Sequence, residues 1–391
     1  MKQYNFDEII DRKGTNCLKV DKLNERYGRS DLTPMWVADM DFRTPDFIID
    51  ALRKRCEHEV FGYPFAGDEY YDSITTWVQY KHNWSVKREW ISYIPGIVKG
   101  LGFVLQCFTK PGDKVIIQPP VYHPFRLVPE DMKREVVNNP LKLTDSGYEM
   151  DFEHLESIID DKCKVLILCS PHNPAGIVWS KDTLAKLADI CVKHNILVVS
   201  DEIHAEIVYP QFKHHPFPSV SEAAANCSIT FMAPSKTFNI AGIVSSYSIV
   251  PNDALRERFY KFLQAGELSD GTIFAYEATT AAYTYGAEWL QQMRTYVMEN
   301  VRFVESFLEH HISAIKAYPP QSSFLVWLDC RELGLSQADL VKLFRDDARL
   351  ALNDGAMFGP GGTGYMRMNI GCPRATIESA LNALKKAVDK K

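Results

Sequence analysis

Six short apolar runs recur between helix-like stretches in the middle of this chain, and they restrict its fold more than any other feature. They fall at residues 91–94, 114–118, 164–169, 196–200, 228–232 and 246–250. Each is apolar almost throughout instead of alternating with polar residues, so each strand needs cover on both faces. Helical periodicity fills much of the space between them, at 47–60, 70–83, 96–108 and 181–194, with a further helix opening at Asn252. Buried strands separated by helices predict an α/β domain built on a mostly parallel sheet. The pattern changes near Gly286. A long helix is expected at 288–311, then a strand at 323–328, a helix at 336–348, a glycine-rich stretch at 359–364, a strand at 365–370 and a last helix at 374–388. We therefore expect a large domain over 46–285 and a smaller α+β domain made of 286–391 with the N-terminal segment 1–45. A chain of 391 residues has room for both.

Charge narrows the choice of partners. The net charge is −6 and the pI about 6.0, so no dominant basic field favours nucleic acid or an anionic membrane. The apolar runs are too short to span a bilayer. The opening run 1–7 lacks the apolar core of a secretory signal. The nine cysteines are scattered without a Cys-x-x-Cys pair, which fits reduced thiols in the cytoplasm and no metal site. Cys107 and Cys169 lie in apolar runs and read as core filler.

In open α/β sheets ligands bind beyond the carboxyl ends of the strands. The run at 164–169 is followed by Ser170-Pro171-His172-Asn173-Pro174, that at 196–200 by Asp201-Glu202-Ile203-His204, and that at 228–232 by Ala233-Pro234-Ser235-Lys236-Thr237-Phe238-Asn239. Arg367 sits in the last strand candidate. Singly, each polar residue has an ordinary structural reading: Asn173 as a turn initiator, Asp201 as a helix cap, Lys236 as a loop lysine, Arg367 as half of an ion pair. Their occurrence in one order, each at or near a strand end, places an amine, a carboxylate, an amide and a guanidinium around one crevice. A lysine after a buried strand is well placed to bind an aldehyde cofactor covalently.

The constellation resembles the class I/II aminotransferases, the fold-type-I enzymes that use pyridoxal 5′-phosphate (PLP), over nearly the whole chain. It is most similar to their carbon–sulfur lyase branch, the cystathionine β-lyases of the MalY/PatB type. The residues that carry this likeness are Trp36-Val37-Ala38-Asp39-Met40-Asp41-Phe42, Asp201–His204, Ser235–Asn239 and Arg367-Met368-Asn369-Ile370-Gly371-Cys372-Pro373-Arg374. The resemblance implies a large sheet of the seven-stranded type. It implies that Lys236 holds PLP and moves the substrate Cα proton, and that Asp201 keeps the pyridine nitrogen protonated. Asn173 would bond the ring hydroxyl, Tyr122 would stack on the ring, and Arg367 would clamp the substrate carboxylate. His204 stands where many relatives have a tyrosine; it either meets the ring hydroxyl or acts as an orienting residue behind it. Phosphate would meet the amides of Gly96, Ile97 and Val98 at a helix start, with Ser235. Tyr63 would reach the phosphate of a neighbouring subunit, which makes a homodimer with a shared site. Asp39 would lie near the substrate, and Trp36 reads rather as structural packing of the N-terminal segment.

Two positions depart from the family pattern. Ala233 stands where many members carry serine, and Val244 where many carry a phosphate-binding arginine. Both departures favour the lyase branch. The expected activity is cleavage of cystathionine or a related cysteine S-conjugate to a thiol, pyruvate and ammonia. The alternatives are amino-group transfer between an amino acid and a 2-oxo acid, which shares the early chemistry, and a non-catalytic protein of the same fold.

Overall fold

The computed structural model describes residues 2–144 and 147–390. Seven strands form the large sheet: β1 (Ile91–Ile94), β2 (Lys114–Ile117), β3 (Glu135–Asn138), β4 (Cys163–Cys169), β5 (Leu197–Asp201), β6 (Ser228–Met232) and β7 (Ser246–Ile249). Their spatial order is β1-β7-β6-β5-β4-β2-β3. Neighbours are parallel except at β7, which runs antiparallel to both β1 and β6. Helices cover both faces, and every residue of β5 and β6 is buried. That burial explains the unbroken apolar runs in the sequence.

Three of the elements that escaped the sequence pattern bear on the large domain. β3 closes the sheet edge with the half-exposed run Glu-Val-Val-Asn. Pro124–Asp131 forms a helix that begins on a proline. Ile273–Tyr285 is helical, with Thr272 accepting from the Ala275 amide. This helix packs between Asp46–Cys56 and Asp68–His82, so it carries no broad polar face and shows little periodicity. Two expected helices are shorter than predicted. The run at 47–60 leaves the helix after Cys56. That at 336–348 is helical over Gln337–Lys342 and then widens into a π turn at Leu343–Asp347.

A second, antiparallel sheet follows the 25-residue helix Ala287–His311. It comprises β8 (Lys316–Tyr318), β9 (Leu325–Asp329), β10 (Asn353–Asp354) and β11 (Tyr365–Asn369), in the order β8-β9-β11-β10. Arg367 lies at the centre of β11, opposite Trp327 on β9 and Asn353 on β10. The expectation that it sits near a strand end is thus corrected: it points from the middle of a strand in the other sheet. Thr33–Pro34 pairs in parallel with Leu350–Ala351, which brings the N-terminal segment beside this second sheet. Among the described residues, no helix is long and apolar enough to cross a membrane.

Candidate active site

The strand register assembles the site. Cys169 at the end of β4 pairs with Asp201 at the end of β5, and Asp201 pairs with Phe231 on β6. Asn173 follows β4 by four residues and Lys236 follows β6 by four, so both loops leave the sheet on the same edge. One cavity above that edge is lined by Ala38, Gly96, Ile97, Val98, Tyr122, Asn173, Asp201, His204, Ser235 and Lys236, among others. All of these except Ala38 were expected from the sequence.

Asp201 is buried and accepts one hydrogen bond, from the Ile203 amide at 3.1 Å. Burial pushes its carboxyl up to about 7, against the smaller opposing effects of that bond and of nearby Lys236. A carboxylate so poorly compensated suits a cationic ligand group that has lost its own water. Burial lowers the affinity of Lys236 for its proton; Asp39 opposes this and Arg367 adds to it. The Lys236 ammonium Nζ donates to the Ala38 carbonyl at 2.7 Å.

His204 is buried on the wall of the same cavity as Asp201, its Nδ1 3.2 Å from the Ser323 hydroxyl. Burial and the neighbouring Lys236 and Arg367 charges bring it down to about 3, so at neutral pH it is an uncharged imidazole. Tyr122 forms part of the cavity wall, and its ring packs edge-on against Phe125.

Arg367 is held on three sides. Its Nη1 donates to Asn173 Oδ1 at 2.8 Å, and its Nη2 to Asn353 Oδ1 at 2.6 Å and to the Trp36 carbonyl at 3.1 Å. The guanidinium lies over the Phe358 ring, 5.0 Å from its centre. Its Nε is buried without a partner. An unpaired buried donor is costly, and Arg367 is not itself among the residues that line the cavity.

Segment 36–42 crosses over Lys236 and is fastened almost residue by residue. Asn369 Nδ2 donates to the carbonyls of Val37 and Asp39. Asn239 accepts from the Met40 amide at 3.0 Å and donates to the carbonyls of Met40 (2.9 Å) and Phe42 (2.8 Å). Asp39 is turned into an ion cluster: Arg12 grips it with two nitrogens (3.1 and 2.8 Å), and Arg12 and Lys19 both reach Asp41. Asp39 therefore acts on the cavity through its charge on Lys236, and its carboxylate is not among the cavity-lining groups. Trp36 donates from Nε1 to the Lys19 carbonyl at 2.9 Å, which is the packing role. Asn239 and Asn369 stand inside the quoted motifs, but nothing in their neighbours marked them as clamps. Asn353 carried no sequence signal.

At the far end of the cavity the helix Ile97–Phe108 begins. Gly96 has φ 104°, a conformation that favours glycine, and no side chain caps the helix. Its first amides are thus free for an anion. Ser235 is nearby on the wall. Val244 also lines this region. It holds the left-handed conformation (φ 60°, ψ 59°), with its carbonyl accepting from the Tyr93 hydroxyl at 2.9 Å. Thr237 Oγ1, next to Lys236, is buried without a partner and is not part of the wall. Tyr63 is fully exposed and away from this chain's cavity.

The family model described as aminotransferase class I and II matches residues 32–384. Cystathionine beta-lyase PatB of Bacillus subtilis (strain 168) is 43% identical over 385 residues, covering 98% of this chain and all of that one. The structure of cystalysin from Treponema denticola, which contains a PLP cofactor, superposes with a TM-score of 0.96 at 35% identity and covers 100% of both chains. The PLP-bound C–S lyase from Staphylococcus hominis gives 0.91 at 32% identity, over 99% of this chain and 98% of its own.

Proposed function

Since the chain belongs to the class I and II aminotransferase family, we propose that it is a PLP-dependent carbon–sulfur β-lyase acting on cystathionine or a similar cysteine S-conjugate. The observation that carries the cofactor is the buried, under-compensated Asp201 facing the same cavity as Lys236. A protonated pyridine nitrogen would complete the first, and the second would bind the aldehyde. Asn173 would meet the ring hydroxyl, Tyr122 and His204 would flank the ring, and the amides after Gly96 would take the phosphate with Ser235. Bound this way, PLP supplies an electron sink for the pair left when the substrate Cα–H bond breaks.

The chain's own residues do the rest. Arg367 binds the α-carboxylate through its free Nε, with Asn173 and Asn353 fixing the plane of the guanidinium. That orientation selects which bond at Cα stands ready to break. Lys236 Nζ, with its proton affinity lowered by burial, accepts the Cα proton and can return it to the departing sulfur. The Ala38 carbonyl holds the amine on the reacting side. Neutral His204 leaves the charge of Asp201 undivided for the ring nitrogen. The identity of the relatives, named for cystathionine and C–S cleavage, favours elimination over amino transfer.

We also propose a cytoplasmic homodimer. The exposed apolar side chains Val60, Phe61, Tyr63 and Phe65 follow one another on one loop, with Phe274 and Tyr285 also exposed. A second copy would cover them and bring Tyr63 to the phosphate end of its neighbour's cavity. The boundaries 46–285 for the large domain, with 1–45 and 286–391 for the small one, are part of the same proposal.

Incubation of the PLP-loaded enzyme with L-cystathionine and no oxo acid tests the activity. Pyruvate and free thiol in equal amounts are expected. Amino transfer to an added oxo acid without thiol release would sink the lyase reading.

A further inference from the structure

The phosphate end of the cavity presents an electrostatic question. Phosphate esters are mostly dianionic at neutral pH, and the position where many relatives carry a phosphate-binding arginine is Val244 here. Among the residues that line the cavity, only Lys99 and Lys236 are cationic, since His204 is neutral. Lys236 is committed to the opposite end, on the Ala38 carbonyl.

Lys99 occupies an unusual place for its charge. It is the third residue of the helix Ile97–Phe108, whose first turn contains no acid and whose N-cap offers no side-chain acceptor. A cation in the first turn of a helix is opposed by the helix dipole and by the unpaired amides there. Lys99 is exposed and lines the same cavity as those amides, and side chains on a helix lean toward its N-terminus. Among the described residues no carboxylate pairs with Lys99, and it makes no hydrogen bond. An anion held by the first amides removes every part of that conflict at once.

We propose that Lys99 is the phosphate-neutralising residue of this chain, taking the part that an arginine at position 244 plays elsewhere. Lys99 and Val244 line one cavity, and a Cβ added at Gly96, just before the helix that carries Lys99, would lie 3.8 Å from Val244 Cγ1. The positive charge stands on the helix Ile97–Phe108 instead of the loop after Lys236, where the apolar, left-handed Val244 takes the arginine's position.

This inference rests on the PLP reading, and its test separates the two. Apo-protein is titrated with PLP and with pyridoxal, which lacks the phosphate, following the visible absorbance of the bound cofactor. In the Lys99→Met variant the PLP dissociation constant is expected to rise about 10- to 100-fold, with pyridoxal binding changed less than about two-fold. The double variant Lys99→Met/Val244→Arg is expected to recover at least ten-fold of any larger loss. Inorganic phosphate is then used alone, and the shift it gives to the thermal midpoint of the apo-protein is measured. It should raise the midpoint of the parent and leave Lys99→Met nearly unmoved. A phosphate shift without any cofactor band would remove the PLP reading and leave the anion role of Lys99 standing. Equal losses for PLP and pyridoxal, or a phosphate shift of full size in Lys99→Met, would overturn the proposal. Should Lys99→Met fold poorly, Lys99→Arg must retain both phosphate responses, and its failure to do so counts against the assignment as well.

Discussion

The two ends of the cavity are built on opposite plans. Around Lys236, the protein supplies its own partners: segment 36–42 has its carbonyls bonded by Arg367, Asn369, Lys236 and Asn239, and its carboxylates by Arg12 and Lys19. Around Gly96 there are unpaired helix amides, an unpaired lysine and an apolar valine. The first end is pre-organised, as a centre that moves protons between fixed atoms requires. The second is left incomplete, as a site whose binding energy comes from satisfying idle donors should be. Arg367 combines the two, with both terminal nitrogens occupied and Nε free.

The sharpest way to break this contrast is at Lys236. Lys236→Ala should slow exchange of an amino acid's Cα proton with deuterated solvent by at least about 10³-fold, read by proton NMR. A residual rate within ten-fold of the parent would show that another group takes the proton. Next comes the clamp. Asn369→Asp keeps its shape and its bond from the Gly371 amide, but it faces two carbonyls with no donor. We expect turnover to fall about 10- to 100-fold with little change in KM, and faster amide hydrogen exchange in the peptide containing 36–42. Loosening without slower turnover would mean that the segment's position does not matter to Lys236.

Asp201 gives a smaller, pH-dependent effect. Its carboxyl is raised from 3.8 to about 7 in the folded chain. Between those values the folded apo-protein keeps a proton that the unfolded chain has released, so this group's contribution to stability declines as pH rises through that window and levels off above it. Asp201→Asn lacks this decline. Relative to the parent, it should gain stability from about pH 4 to pH 7 and then hold constant, by ~1–3 kcal/mol in urea unfolding. A constant difference across that range would show that Asp201 is already compensated. The least change is expected at the open end: Val244→Asn replaces a β-branched residue at φ 60° with one that tolerates this conformation. It should raise apo-protein stability by about 1 kcal/mol, seen as a modest rise in the thermal midpoint.

Much of this site could be read in the sequence because it follows the sheet. Asn173, Asp201 and Lys236 come after continuous apolar strands, and parallel order forces them to one edge. Arg367 was found through the motif around it, although its place in the middle of β11 was not foreseen. The clamp was illegible for a physical reason. Asn239 and Asn369 bond backbone carbonyls, which every residue has, so no partner pattern exists to detect. Lys99, within Gly96-Ile97-Val98-Lys99-Gly100, looks like an ordinary solubilising charge until its position in the first turn is known. The helix Ile273–Tyr285 was hidden because burial on several sides erases periodicity.

The clamp over Lys236 joins residues 199 and 330 positions apart in the chain. Contacts so distant in sequence repay their loop-closure entropy only when the intervening structure is already in place. Segment 36–42, made on the ribosome well before β11, must therefore wait for that strand before it can settle. A partly synthesised or partly folded chain can have its large sheet and its lysine, yet lack the cover that makes that lysine a reactive base. Chemical competence thus comes only with the assembled fold, and a free aldehyde would meet a fully formed trap only after β11 has docked.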